Sequence, residues 1–126
     1  MSCSEGKISQ CNRLIEIANQ AASSVESVTS SATPDDPDAF LRIADAAETA
    51  TANLEALDVD DETLQNYREQ FISLYVETSA ATRQLVEAVK NQDAEAADEA
   101  YNQLESATER EIPLVEDVNA YCSGSV

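Results

Sequence analysis

The stretch Asp61–Asn91, DETLQNYREQFISLYVETSAATRQLVEAVKN, decides the fold. Leu64, Tyr67, Phe71, Leu74, Thr78, Ala81, Leu85 and Ala88 follow one another at steps of three or four residues. That is the period of a helix with one face against a core. Ile72, Tyr75, Val86 and Val89 widen the stripe on either side. Ahead of it, Asp60 is well placed as an N-cap, and Asp61 and Glu62 suit the positive end of the helix.

The same stepping recurs outward from this segment. Upstream, Phe40, Ile43, Ala47, Ala50, Leu54 and Leu57 mark a helix starting near Asp38, with Pro37 or Asp36 shaping its start. Before that, Ile8, Cys11, Ile15, Ala18, Ala22 and Val25 trace a seam in a helix from about Lys7 to Thr29. Its last turns, rich in Ser and Thr, are expected to fray. Thr33-Pro34-Asp35-Asp36-Pro37 is a clear break between these two segments. Downstream, Asn91-Gln92-Asp93 reads as a stop followed by an N-cap at Asp93. Ala97, Tyr101, Leu104 and Thr108 then resume the pattern, and Val115, Val118 and Cys122 finish it. Pro113 falls inside this last segment. A proline there removes a hydrogen bond and crowds the preceding turn. Thr108 with Glu111 has capping-box spacing, so a kink or restart near Pro113 is expected.

Four amphipathic segments joined by short connections predict an all-α, antiparallel up-down four-helix bundle. No alternation of period two marks a strand. The expected domain is residues 7–122, with residues 1–6 as a flexible tether and 123–126 as a disordered tail.

The chain has 126 residues, the size of one domain, with 25 acidic against 7 basic side chains and a net charge of −18. Phosphates would be repelled, which argues against nucleic-acid binding, and anionic membrane surfaces are disfavoured for the same reason. Such charge favours solubility and the monomer, and also suits salt adaptation or a basic protein partner. Its cost is self-repulsion in the compact state, which added salt should relieve. No stretch approaches the ~20 apolar residues of a membrane helix.

The most specific signal lies in the cysteines. Cys11 stands in the first helix and Cys122 in the last turns of the fourth, both on apolar seams. In an up-down bundle these positions lie at the same end, side by side. A disulfide between them would close a loop of about 110 residues, worth on the order of 4–5 kcal/mol in the chain-entropy model. The alternative is two free thiols packed in the core. A disulfide implies an oxidising, extracytoplasmic compartment. Cys3 is then left over. It fits the lipid-modified residue of a bacterial lipoprotein, with its signal segment upstream of Met1 and Ser4-Glu5-Gly6 as the tether. An ordinary N-terminal Cys is the alternative.

The chain resembles a group of small secreted or lipoprotein-like helical proteins encoded in cyanobacteria, mostly of unknown function. The resemblance lies in Cys11-Asn12-Arg13-Leu14-Ile15, in Ala44-Asp45 through Leu54-Glu55-Ala56-Leu57, and in Leu64-Gln65 with Phe71, Tyr75 and Thr78 to Arg83. It closes with Leu114-Val115 and Asn119-Ala120-Tyr121-Cys122. It implies export and brings no catalytic residues.

There is no His in the chain. Ser-His-Asp and Cys-His nucleophile systems therefore cannot form, nor can the Glu-x-x-His motif of di-iron bundles. No phosphate loop or dinucleotide fingerprint is present, so no cofactor or enzymatic role is expected. Asp35-Asp36-Pro37-Asp38 and Asp58-Val59-Asp60-Asp61-Glu62 are dense in acids but lack the spacing of a calcium loop. Helix capping explains them. Thr78, Ser79, Thr82 and Arg83 interrupt an apolar face; their hydroxyls are expected to bond back to helix carbonyls, the alternative being a small polar pocket ringed by Tyr75 and Tyr101. The residues thus predict a non-enzymatic extracytoplasmic acidic bundle, a lipid-anchored envelope component or a protein-binding module. The alternative is a cytosolic, salt-adapted adaptor with buried free cysteines.

Overall fold

The computed structural model describes the backbone of residues 3–31 and 37–123; the side chains of residues 3–5, 7, 26–31 and 37 lie outside the description. Four helices follow in order: α1 (Cys3–Ser31), α2 (Pro37–Glu55), α3 (Glu62–Lys90) and α4 (Ala94–Ser123). They form an antiparallel bundle with no strand among the described residues. The central helix is α3, which packs extensively on both α2 and α4; α1 lies chiefly on α2 and more thinly on α4.

Local chemistry sets most of the helix ends. The first residue of α2 is Pro37, where a missing N–H costs nothing, and Asp38 follows in its first turn. The N-cap of α3 is Asp61 rather than the expected Asp60: its carboxylate accepts the Leu64 N–H at 3.0 Å. Asp60 instead lies in the loop, where its backbone N–H donates to Gln10 Oε1 of α1. Asp93 caps α4 as expected, accepting the Ala96 N–H at 3.1 Å. Between the two helices Gln92 takes φ 56°, the left-handed geometry that ends α3.

Two boundaries differ from the sequence reading. The first helix begins at Cys3, before the expected start at Lys7, and continues to Ser31 through the Ser- and Thr-rich turns. More informatively, α4 is one helix across Pro113. No restart occurs at Thr108, whose hydroxyl donates back to the Glu105 carbonyl instead of capping. Pro113 is exposed, so the carbonyl it deprives of a partner can be hydrated. Meanwhile Ala107, Leu114 and Val118 stay buried, so α4 keeps a face on the bundle on both sides of Pro113.

The core falls into two clusters of unequal size. The larger surrounds the chain ends and the α2–α3 connection and includes Cys11, Leu14, Leu54, Leu57, Val59, Leu64, Phe71, Leu74, Leu114 and Val118. The smaller, toward the α3–α4 turn, consists of Ala81, Leu85, Ala100 and Leu104, with Phe40, Val89 and Ala97 packed on it. Two residues placed on the seam by spacing are not in it. Ile8 is 56% exposed and Tyr101 is 50% exposed. Ile8 precedes Cys11 by one turn, and α4 ends one residue beyond Cys122, so Ile8 stands at the open rim of the bundle.

Candidate functional site

The sulfurs of Cys11 and Cys122 lie at disulfide distance, 1.99 Å, with Cα atoms 6.0 Å apart and 111 residues of sequence separation. Cys11 is buried at 2% exposure, and Cys122 is partly covered. The pair therefore ties the start of α1 to the end of α4 from within the core, as the seam positions predict.

The connection between α2 and α3 is fastened to the same end. Leu57 and Val59 are buried although they lie in a loop. Their carbonyls are held from α3: Arg68 Nη1 donates to Leu57 O and Gln65 Nε2 to Val59 O, each at 2.7 Å. Gln10 takes the Asp60 N–H from α1, and the Tyr121 hydroxyl of α4 donates to Asp61 Oδ2 at 2.8 Å. Tyr67 and Tyr121 pack their rings with centroids 6.1 Å apart. Every helix but α2 thus reaches over to hold the loop that leaves α2. Arg68 Nε is buried without a hydrogen-bond partner among the described residues, a cost accepted for placing the guanidinium there.

Two polar constellations lie along α3. In the first, Glu48 of α2 accepts from Ser79 at 2.8 Å and pairs with Arg83 at 2.7 Å. Arg83 also approaches Asp45 at 3.5 Å. The hydrogen bond from Ser79, then that from Arg83, hold the Glu48 carboxyl below the usual range, and Glu48 in turn raises Arg83. Thr78 and Thr82 behave as expected: their hydroxyls donate to the Leu74 and Thr78 carbonyls four residues back. Ser79 does not, and its bond to Glu48 makes the run a clamp between α2 and α3. Tyr101 is exposed and Tyr75 is engaged elsewhere, so no polar pocket is ringed by them.

In the second constellation, the buried Tyr75 hydroxyl donates to the half-buried Glu111 carboxylate of α4. Burial raises the Glu111 carboxyl, opposed by the Tyr75 hydrogen bond. Burial, and then the charge and hydrogen bond of Glu111, push the Tyr75 phenol far above its ordinary range. The phenol is therefore a permanent donor, not an acid. On the same two helices, Arg110 of α4 pairs with Glu77 of α3 at 2.7 Å.

These arrangements link the helices to one another. No group of three or more Cys, Asp or Glu side chains is placed to hold a metal among the described residues. In the acid run Asp58–Glu62, Asp61 is the cap and Asp60 is tied through its N–H to Gln10. Residues 35 and 36 of the other acid run lie outside the described residues, as does the Cys3 side chain. The grooves between α3 and α4, lined by residues such as Leu74, Glu77, Ala81, Gln103 and Arg110, are shallow and open. No described helix is long and apolar enough to cross a membrane. No family model, curated protein or solved structure matches the chain.

Sequence reading missed the Arg68 anchor and the Tyr75–Glu111 pair. Arg68 carried a usable signal, since it lies four residues after Leu64 and three before Phe71, a cation on the apolar line. Glu111 carried none, being one acid among 25.

Proposed function

We propose that this protein is a non-enzymatic, extracytoplasmic binding module, an acidic helical bundle whose ends are closed by a disulfide. The observation that carries the reading is the Cys11–Cys122 pair at bonding distance inside the core. Protein disulfides persist in oxidising compartments and are rare in reducing cytosol. The polar groups support a structural rather than catalytic use. Tyr75, Glu48, Arg83 and Arg68 are all engaged in links between helices or between helix and loop. The net charge of −18 supports a basic protein partner over nucleic acid or an anionic membrane. In this reading Cys3, the first residue of α1, is a lipid attachment point that would hold the bundle at an envelope surface.

Thiol counting under denaturing, non-reducing conditions tests the proposal on protein alkylated as it leaves its native cells. The expected result is no alkylation at Cys11 or Cys122, with Cys3 either alkylated or carrying a lipid mass. Alkylation of all three cysteines would end it, and would favour a cytosolic, salt-adapted adaptor instead.

A further inference from the structure

We propose that the edge of α4 from Tyr101 to Val115 is a docking surface for a basic amphipathic helix of a partner protein. Tyr101, Thr108, Val115 and Cys122 are spaced by seven residues, so they lie on one line along α4. Cys122 fixes the direction of that line, because its sulfur meets Cys11 of α1. Cover on the line weakens away from the disulfide. Cys122 and Val115 are half-buried, whereas Tyr101 is 50% exposed. Ile112, between Thr108 and Val115 and slightly outward of them, is 63% exposed, the largest value among the exposed large apolar side chains. Helix α1 packs on α4 more thinly than on α2. Thr108 adds no unsatisfied group, since its hydroxyl is bonded to Glu105 O.

The charge around the strip selects the occupant. Glu105, Glu109 and Glu116 stand exposed along its outer side. The one basic residue of α4, Arg110, is turned to α3 and paired with Glu77. An apolar line bordered by carboxylates fits a helix that carries apolar residues on one face and Lys or Arg beside them. A second copy of this chain would bring another −18 charge, and an anionic bilayer would meet the same carboxylates. The strip from Tyr101 to Val115 runs about 21 Å at the rise of an α-helix, the length of roughly four turns of a partner. This inference deepens the binding role proposed above. Thiol counting addresses compartment and the following titration addresses the surface, so either can fail alone.

The full-length oxidised protein is titrated calorimetrically with a synthetic Leu/Lys peptide of about 18 residues, patterned as an amphipathic helix. A second peptide of identical composition, scrambled to abolish the apolar face, serves as comparison. Ile112→Glu is decisive, because it adds attraction for a basic ligand while destroying the apolar contact. Docking on this edge predicts that Ile112→Glu weakens binding about tenfold or more, as truncation of a central anchor does. Tyr101→Ser should weaken it less, and Val76→Glu on the outside of α3 should not weaken it. All three sites are exposed, so melting curves should stay close to that of the parent. Equal affinity for the scrambled peptide, unchanged or tighter binding by Ile112→Glu, or no binding at all would overturn the proposal. So would sedimentation showing a dimer that Ile112→Glu dissociates, or vesicles of anionic lipid capturing the parent through Ile112.

Discussion

The two ends of the bundle are built differently. At the end that holds the chain termini, a disulfide, a buried loop and large side chains converge. Leu14, Leu54, Leu64 and Phe71 are there at 0–1% exposure, and polar links from α1, α3 and α4 fasten the α2–α3 loop. Toward the opposite end the buried apolar set is Ile43, Ala81, Leu85, Val86, Ala88, Ala100 and Leu104, with smaller side chains on average, and the α3–α4 turn at residues 91–95 is wholly exposed. Buried apolar area is the main source of stability, and alanine contributes little of it. The difference teaches where an acidic bundle concentrates its defence against self-repulsion. One end is cross-linked and packed with the larger side chains, and the other relies on a smaller, alanine-rich core without a cross-link.

The comparison can be broken most severely at the cross-link. Cys11→Ala with Cys122→Ala should lower unfolding free energy by about 3–5 kcal/mol in denaturant titration. A cost below about 1 kcal/mol would mean that the disulfide end does not depend on its bridge. Core truncation sharpens the contrast. Phe71→Ala should cost about 3–5 kcal/mol, and Leu85→Ala about 2–3, because the smaller leucine side chain removes less buried apolar volume. Native-state hydrogen exchange should show the same order, with amides of residues 85–100 opening at lower free energy than those of residues 64–75.

Arg68→Ala should cost about 1–2 kcal/mol by freeing the Leu57 carbonyl beside the buried loop. Its effect should be confined to the disulfide end, which exchange at residues 57–64 would reveal. At the other end, Gln92→Gly should stabilise by up to about 1 kcal/mol, since glycine accepts φ 56° without the Cβ penalty. The smallest expected effect is a slope rather than a step. Burial raises the Glu111 carboxyl above its unfolded value, so the native state binds the proton more tightly. Stability contributed by this group is therefore present at low pH and falls as pH rises through the window above the ordinary carboxylate range. Glu111→Gln should flatten that part of the pH profile while retaining an acceptor for Tyr75. An unchanged slope would remove Glu111 as its source.

Legibility in the sequence followed the number of residues that share a signal. Each helix rests on many apolar positions at one period, so no single misplacement matters, and the bundle was readable. The cysteine pairing was readable because topology brings the first and last helices together, which leaves few geometries for Cys11 and Cys122. Individual caps were less so. Asp60 and Asp61 have equal propensity, and the choice falls on Asp61, whose carboxylate also accepts from Tyr121, sixty residues away in sequence. Of the kink or restart expected near Pro113, the restart at Thr108 does not occur, because local capping chemistry is outweighed by burial of Leu104, Ala107, Leu114 and Val118 on one helical face.

The sequence by itself determined the four helices, their antiparallel order and the closure of the ends, since period, breaks and cysteine placement are properties of the chain. Tertiary structure alone decided which acids matter. Glu48, Glu111 and Asp61 are chosen from among 25 by Ser79, Tyr75 and Tyr121 on other helices. It also decided that Tyr101 and Ile112, apolar like their neighbours, remain in solvent. The physical reason is the same in both cases. A helix's period says which side chains share a face, but only the approach of another helix says how much of that face is covered.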